Sequence, residues 1–229
     1  MSGRFAIACR TPWFWDLWAL AALPGEWLEI RTPDALTAEA LADFDPELVF
    51  FPHWSRIVPE SIWGRWACVV MHAAPLPWGR GGSPIQNQIA RGRTDTELCA
   101  LRMTGTLDGG PVYARQPVSL LGGGDEIFIR LNKAILDLIA HITVERPQPV
   151  PQDGEPTVFS RRRPRHSAVP EGLDLEQLFD QIRMLDAEGY PRAFLEHAGF
   201  RFELSRPALR RGRIEADVCI TAVPDDADR

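Results

Sequence analysis

Two short segments of this chain carry residue types that move protons. The first, Val69-Val70-Met71-His72, ends an apolar run on a histidine and passes into the turn-rich stretch Ala73-Ala74-Pro75-Leu76-Pro77-Trp78-Gly79-Arg80-Gly81-Gly82-Ser83. The second, Thr106-Leu107-Asp108-Gly109-Gly110-Pro111, places an aspartate in a tight turn 108 − 72 = 36 positions later. A histidine at the end of a buried strand, facing a carboxylate brought up by a later turn, is arranged for general acid–base work. The carboxylate orients the ring and favours its charged imidazolium form. Taken singly, each residue has an ordinary explanation. A histidine after a strand is commonly a satisfied structural residue, and Asp before Gly-Gly commonly just forms a turn. Their joint context makes His72 and Asp108 the candidate catalytic pair.

The elements that must position this pair alternate. Arg4–Cys9, Trp27–Ile30, Leu48–Phe51 and Ala67–Met71 read as apolar strands, and Pro12–Leu23, Leu36–Phe44 and Pro59–Trp66 read as the helices between them. Continuous apolar strands separated by helices at this spacing predict an α/β fold with a doubly wound, Rossmann-like parallel sheet. A short helix Ile85–Arg91, strands Leu98–Met103 and Val112–Val118 around the Asp108 turn, and a long helix from Asp125 to about Thr143 complete a core over 1–147. Pro147, Pro149 and Pro151 end that helix and open an extended linker, 148–170. The tail, 171–229, reads as a small α+β appendage. Asp174-Leu175-Glu176-Gln177 starts a helix, and the alternating runs Phe200–Leu204 and Ile214–Val218 form a hairpin. Residues 224–229 read as a frayed, acidic end.

The net charge of −6 weighs against a nucleic-acid partner, because phosphate binding needs a basic surface. The four cysteines, Cys9, Cys68, Cys99 and Cys219, show no CxxC spacing, so free thiols in a reducing cytoplasm are expected and no metal is signalled. No apolar run has the length of a membrane span, and the first residues lack a leader pattern, so no membrane partner is expected. Eight tryptophans are many for 229 residues. Together with the hairpin-rich tail they raise the possibility of a homodimer interface, although packing explains most of them equally well.

The order of motifs is specific. His72, Leu76-Pro77, Arg80-Gly81-Gly82-Ser83-Pro84-Ile85-Gln86 and Leu107-Asp108-Gly109-Gly110-Pro111-Val112 together resemble the formyltetrahydrofolate-dependent (methionyl-tRNA formyltransferase-like) formyltransferase family. Pro46–Phe51 with Arg56-Ile57-Val58-Pro59 is similar to the family's strand and folate-side loop, and Glu155–Pro164 resembles the start of the C-terminal region of sugar N-formyltransferases. The likeness is nearest to sugar N-formyltransferases of bacterial surface-glycan clusters and to peptide-synthetase formylation domains. It implies formyltetrahydrofolate as co-substrate, and a His72 that donates a hydrogen bond or proton while Asp108 charges it and carries the amine proton away.

The same resemblance, with the sheet edge where open α/β folds hold ligands, marks His53, Trp54, Arg56, Leu107, Gly109 and Gly110 as candidate folate-binding residues. Gly109 and Gly110 would allow close approach of the pterin. Arg10, Arg80, Gly81, Gly82, Gln86, Arg161 and Arg162 are the candidates for the acceptor side, the arginines for a substrate diphosphate. The run Arg161-Arg162-Arg163-Pro164-Arg165 also reads simply as a solvated basic patch.

One departure stands out. Two residues before the histidine the family usually has asparagine, and this chain has Val70. An apolar side chain cannot hydrogen-bond an oxyanion, and loss of one such donor costs roughly two to three powers of ten in rate. Ser83, Gln86, Asn87 or a backbone N–H are the candidates to replace it.

The leading expectation is an N-formyltransferase acting on the amine of a nucleotide-linked aminodeoxysugar in the cytoplasm. A carrier-bound aminoacyl group or a small amine metabolite is the alternative acceptor. A folate or sugar binder without activity is the alternative class. A transfer RNA acceptor is disfavoured, because enzymes of that kind carry a sizeable basic C-terminal barrel and this tail is shorter and ends acidic.

Overall fold

A computed structural model describes residues 3–223, and the end expected to fray lies outside them. The chain forms two compact units that interleave in sequence. The first comprises Met1–Pro84, Thr96–Val118 and Arg130–Phe159, and the second comprises Ile85–Asp95, Ser119–Ile129 and Ser160–Arg229.

The first unit begins with β1 (Arg4–Ala8), α1 (Pro12–Leu20), β2 (Glu26–Ile30), α2 (Ala38–Phe44), β3 (Leu48–Phe51), α3 (Glu60–Trp63), β4 (Cys68–His72) and β5 (Trp78–Gly81). After α4 (Pro84–Ile89) come β6 (Asp95–Arg102) and β7 (Val112–Ser119), then α5 (Gly124–Glu145) and β8 (Thr157–Phe159). The six-stranded sheet has the order β2-β1-β3-β4-β6-β7. Its first four strands are parallel, with Phe5 opposite Trp27 and Leu48, and β4 meets β6 antiparallel, with His72 opposite Cys99. This is the doubly wound α/β core that the alternation of strands and helices requires. Leu48, Val49, Phe50 and Phe51 are all buried, as the unbroken apolar run demands. Pro117 is tolerated because β7 is an edge strand.

Local chemistry shifts some boundaries. The second helix starts at Ala38 instead of Leu36 because Thr37 caps it, its Oγ1 accepting the Ala40 N–H at 3.1 Å. The tryptophans go largely into packing. Trp15, Trp18 and Trp66 are buried, and Trp27 meets the rings of Phe5 and Phe50 at a tilt and that of Trp18 edge-on. The Trp18 Nε1–H finds Glu29 at 2.8 Å, which lets so large a polar-tipped ring sit inside.

The stretch expected as an extended linker is structured. Val150 exchanges two backbone hydrogen bonds with Val112, and β8 pairs in parallel with β5. The first unit therefore extends through Phe159, and the helix end near Pro147 is no boundary.

In the second unit, α6 (Leu175–Arg183) opens on a reciprocal capping box between Asp174 and Gln177. Arg183 is buried, its Nε donating to Asp180 and one terminal nitrogen to the carbonyls of Leu120 and Gly122. The expected hairpin is present as β10 (Phe200–Arg210) and β11 (Arg213–Ala222), and a third strand, β9 (Ala193–His197), joins it in the order β11-β10-β9. No helix among the described residues is long and apolar enough to cross a membrane.

Candidate functional site

The site lies at the carboxyl edge of β4 in the first unit. His72 is 6 % exposed, and its Nε2 lies 2.8 Å from the Gly79 carbonyl oxygen. A carbonyl only accepts, so Nε2 carries the proton there. The other ring nitrogen, Nδ1, faces Asp108 Oδ2 at 3.5 Å. Both ring nitrogens thus look at oxygen acceptors. The 3.5 Å contact is longer than a good hydrogen bond, which leaves Nδ1 able to serve a third oxygen; such contacts commonly tighten once substrate binds.

Asp108 is presented by the turn between β6 and β7 with a left-handed backbone, φ 47°. Its Oδ2 also accepts the Gly81 N–H at 2.8 Å, whereas Oδ1 has no hydrogen bond among the described residues. The carboxylate is therefore anchored by one oxygen and open at the other. A proton donor and a proton acceptor stand side by side.

Gly110 and Gly81 of these turns lie against protein backbone. A Cβ on Gly110 would come within 1.8 Å of the Arg102 carbonyl oxygen. A Cβ on Gly81, at φ 97°, would come within 2.4 Å of the Phe159 carbonyl oxygen. The close approach expected for a pterin at Gly110 is thus already made by the hairpin itself. Gly82 is likewise tied to β8, its N–H donating to the Phe159 carbonyl.

Arg80 was expected at an anionic ligand, and its Nε and one terminal nitrogen are instead held by Gln152 Oε1, at 3.1 and 2.7 Å. Gln152 was not singled out in the sequence. A lone glutamine among prolines carries no periodicity or motif that could have marked it.

Val70 sits half-buried between Phe51 and Leu101 in the sheet and packs on Leu76, Cys99, Leu101 and Val112. Two of the side chains proposed to replace the missing asparagine belong to the second unit and have partners there. Gln86 is buried and reaches the Met184 carbonyl at 3.5 Å, and Asn87 Nδ2 donates to the Ser160 carbonyl at 3.0 Å. Ser83 adopts a left-handed backbone at the end of the β5 loop.

Of the folate-side candidates, His53, Trp54 and Arg56 follow β3, where β1 and β3, neighbours in the sheet, send their connections in opposite directions, and Leu107, Gly109 and Gly110 lie in the β6–β7 turn. Arg10 reaches Ser55 Oγ at 3.4 Å, and Arg56 is exposed on the same loop. Trp54 packs its ring against Phe51, and its buried Nε1–H has no partner among the described residues. Leu107 is largely exposed in the Asp108 turn.

His53, by contrast, has a structural partner. Its Nε2 lies 2.6 Å from Asn132 Oδ1, and its ring meets Trp13 and Phe14 edge-on. Burial pushes the His53 ring below its ordinary value of 6.5, partly opposed by the Asn132 bond. Below about pH 6.5 the unfolded chain binds a proton at this histidine more readily than the folded chain, so its contribution to stability is complete above that pH and declines as pH falls. The variant His53→Gln is expected to flatten the melting temperature between about pH 7 and about pH 5 relative to wild type. Thermal melts across that range check this, and an unchanged slope would refute it.

In the second unit Arg162 is turned inward, donating to the His166 carbonyl and to Gln181 Oε1, and burial lowers its guanidinium below the usual range. Where the sequence suggests an arginine for a diphosphate, the structure has this side chain bonded within the second unit. Arg161 is exposed. Among the described residues no group of three or more His, Cys, Asp or Glu side chains is placed to hold a metal.

An open, largely parallel sheet with a buried His–Asp pair at the carboxyl edge of its fourth strand is the frame of a group-transfer or hydrolytic enzyme. The comparisons narrow this. A family model described as the C-terminal domain of methionyl-tRNA formyltransferase matches residues 164–221. A solved structure titled methionyl-tRNA formyltransferase from Clostridium thermocellum is 39% identical, covers 96% of this chain and 100% of its own, and superposes with a TM-score of 0.91. The curated methionyl-tRNA formyltransferase of Ruegeria pomeroyi is 31% identical over 81% of this chain and 65% of its own length. A 4-N formyltransferase from Francisella tularensis, 11% identical with a TM-score of 0.65, covers 96% of this chain and 97% of its own and shares the fold. The chain belongs to the formyltransferase family. It spans roughly half to two thirds of the length of the curated relatives it matches first.

Proposed function

We propose that this chain is a formyltetrahydrofolate-dependent N-formyltransferase whose acceptor is the amine of a nucleotide-linked aminodeoxysugar. The observation that carries the chemistry is the Asp108 carboxylate, anchored by Gly81 N–H and facing His72 Nδ1 with its second oxygen open. An amine nitrogen attacking the formyl carbon pushes negative charge onto the formyl oxygen. His72 Nδ1–H supplies the hydrogen bond that this oxygen needs, usually the largest catalytic term. Asp108 Oδ1 takes the proton that the amine nitrogen must lose. As the tetrahedral carbon collapses, its bond to the folate nitrogen breaks, and that nitrogen takes a proton from the His72–Asp108 pair. One N–H has been exchanged for another, with no net charge change. A donor and an acceptor within one buried pair suit this transfer, and no metal is required.

Charge supports the acceptor class. The chain is acidic overall, and four arginines of the C-terminal sheet are engaged by carboxylates: Arg201 with Glu196, Arg206 with Asp217, and Arg210 and Arg213 with Glu215. Paired arginines offer little to a polyphosphate backbone. A second reading, methionyl-tRNA as acceptor, is favoured by the names of the relatives, 39% and 31% identical.

The test offers formyltetrahydrofolate with a panel of nucleotide aminosugars, methionyl-tRNA and a carrier-bound aminoacyl group, and follows the formylated product by mass spectrometry. Formylation of an aminosugar is expected. Formylation of methionyl-tRNA alone would overturn the acceptor, and formate released without any amine would overturn the transfer.

A further inference from the structure

The proline-flanked segment after α5 contributes one side chain that touches both halves of the Asp108 anchor. Gln152 Nε2 donates to the carbonyls of Asp108 and Gly110, both at 2.8 Å. Its Oε1 accepts from Nε and a terminal nitrogen of Arg80 at 3.1 and 2.7 Å. The amide orientation follows from the partners, since carbonyls only accept and a guanidinium only donates. All four hydrogen-bonding positions of the carboxamide are used.

Those partners are not arbitrary. Arg80 immediately precedes Gly81, whose N–H holds Asp108 Oδ2. Asp108 itself has a left-handed backbone, which a non-glycine residue keeps only when its surroundings impose it. One carboxamide thus fixes the strand that donates to the carboxylate and the turn that presents it. The segment bearing Gln152 is held independently, by Val150 on Val112 before it and by β8 on β5 after it.

The geometry points to Gln152 as a positioning residue for formyl transfer, setting the aim of the Asp108 carboxylate at His72. The catalytic meaning rests on the function proposed above; the positioning itself does not. The test uses Gln152→Glu, which is isosteric and keeps an acceptor for Arg80 but sets an oxygen against two carbonyls, with Gln152→Ala beside it. Two quantities are read: steady-state formyl transfer, and amide hydrogen exchange at Gly81.

Expected for both variants are a kcat about 10- to 100-fold lower with KM for formyltetrahydrofolate within about threefold of wild type, as a displaced transition-state group requires. Protection of the Gly81 amide should fall about tenfold or more while β1 and β3 amides stay protected. Unchanged Gly81 protection would overturn the proposal, and so would unchanged kcat in an active enzyme. A fall in KM-linked binding with constant kcat would also overturn it, marking Gln152 as a ligand contact. Lost Gly81 protection in a chain whose wild type formylates no amine would uphold the positioning and sink the formyl-transfer reading instead.

Discussion

The variant Asp108→Asn is expected to reduce kcat for formyl transfer about a thousandfold, within the range that a positioned acid–base group supplies. The fold should survive, because the asparagine carbonyl can still accept the Gly81 N–H that anchors the turn. That carbonyl then keeps the place of Oδ2, 3.5 Å from His72 Nδ1, and the neutral NH2 takes the place of the open Oδ1. The negative charge beside the ring, which stabilises a proton at Nδ1 while Nε2–H stays with the Gly79 carbonyl, would be lost. The open oxygen that takes the amine proton would be gone as well. Single-turnover kinetics with a competent acceptor measure the loss, beside a thermal melt within about 3 °C of wild type. Turnover within tenfold of wild type would remove Asp108 from the chemistry.

The second large effect is on folding. In Gly110→Ala the new methyl would stand 1.8 Å from the Arg102 carbonyl oxygen, a rigid backbone atom. That atom cannot swing aside, because the Arg102 N–H is bonded to the Pro111 carbonyl at 2.8 Å and closes the β6–β7 connection. The turn must open, at a cost of about 3 kcal/mol on the scale of overpacked interiors. For a chain of this size that lowers the melting temperature by roughly 6–12 °C. Activity should fall with it, since the same turn presents Asp108. Gly105→Ala is the internal control: its Cβ would meet nothing nearer than Trp63 at 3.6 Å, an ordinary contact. Equal melting temperatures for the two variants would contradict the steric account.

Much of this frame is written in apolar runs. Leu48–Phe51 and Cys68–Met71 could hardly be anything but covered parallel strands, and they bring His72 to the sheet edge. The Asp-Gly-Gly turn was equally plain, because aspartate and glycine are the residues that such a turn requires. What stayed hidden depends on contacts far apart in sequence. The three-residue strand β8 is too short to show a period, and it exists only because β5 offers an edge some eighty positions earlier. Gln152 acts through carbonyls more than forty positions away, and backbone carbonyls leave no trace in composition. The partners that Gly110 and Arg162 meet are hidden for a related reason. A glycine permits any close approach, and an arginine any acceptor, so residue type alone does not say which partner is met.

The return of residues 148–159 to the first unit has a bearing on how such chains can be recombined. A splice made at Pro147, where the long helix has just ended, would carry β8 and Gln152 off with the C-terminal unit. The incoming chain would then have to supply its own carboxamide and its own strand beside β5. A splice made after Phe159 leaves the acid–base pair with every support described for it. Lineages that trade C-terminal units while keeping the same chemistry should therefore show their seams after the position of Phe159, well past the visible end of the helix.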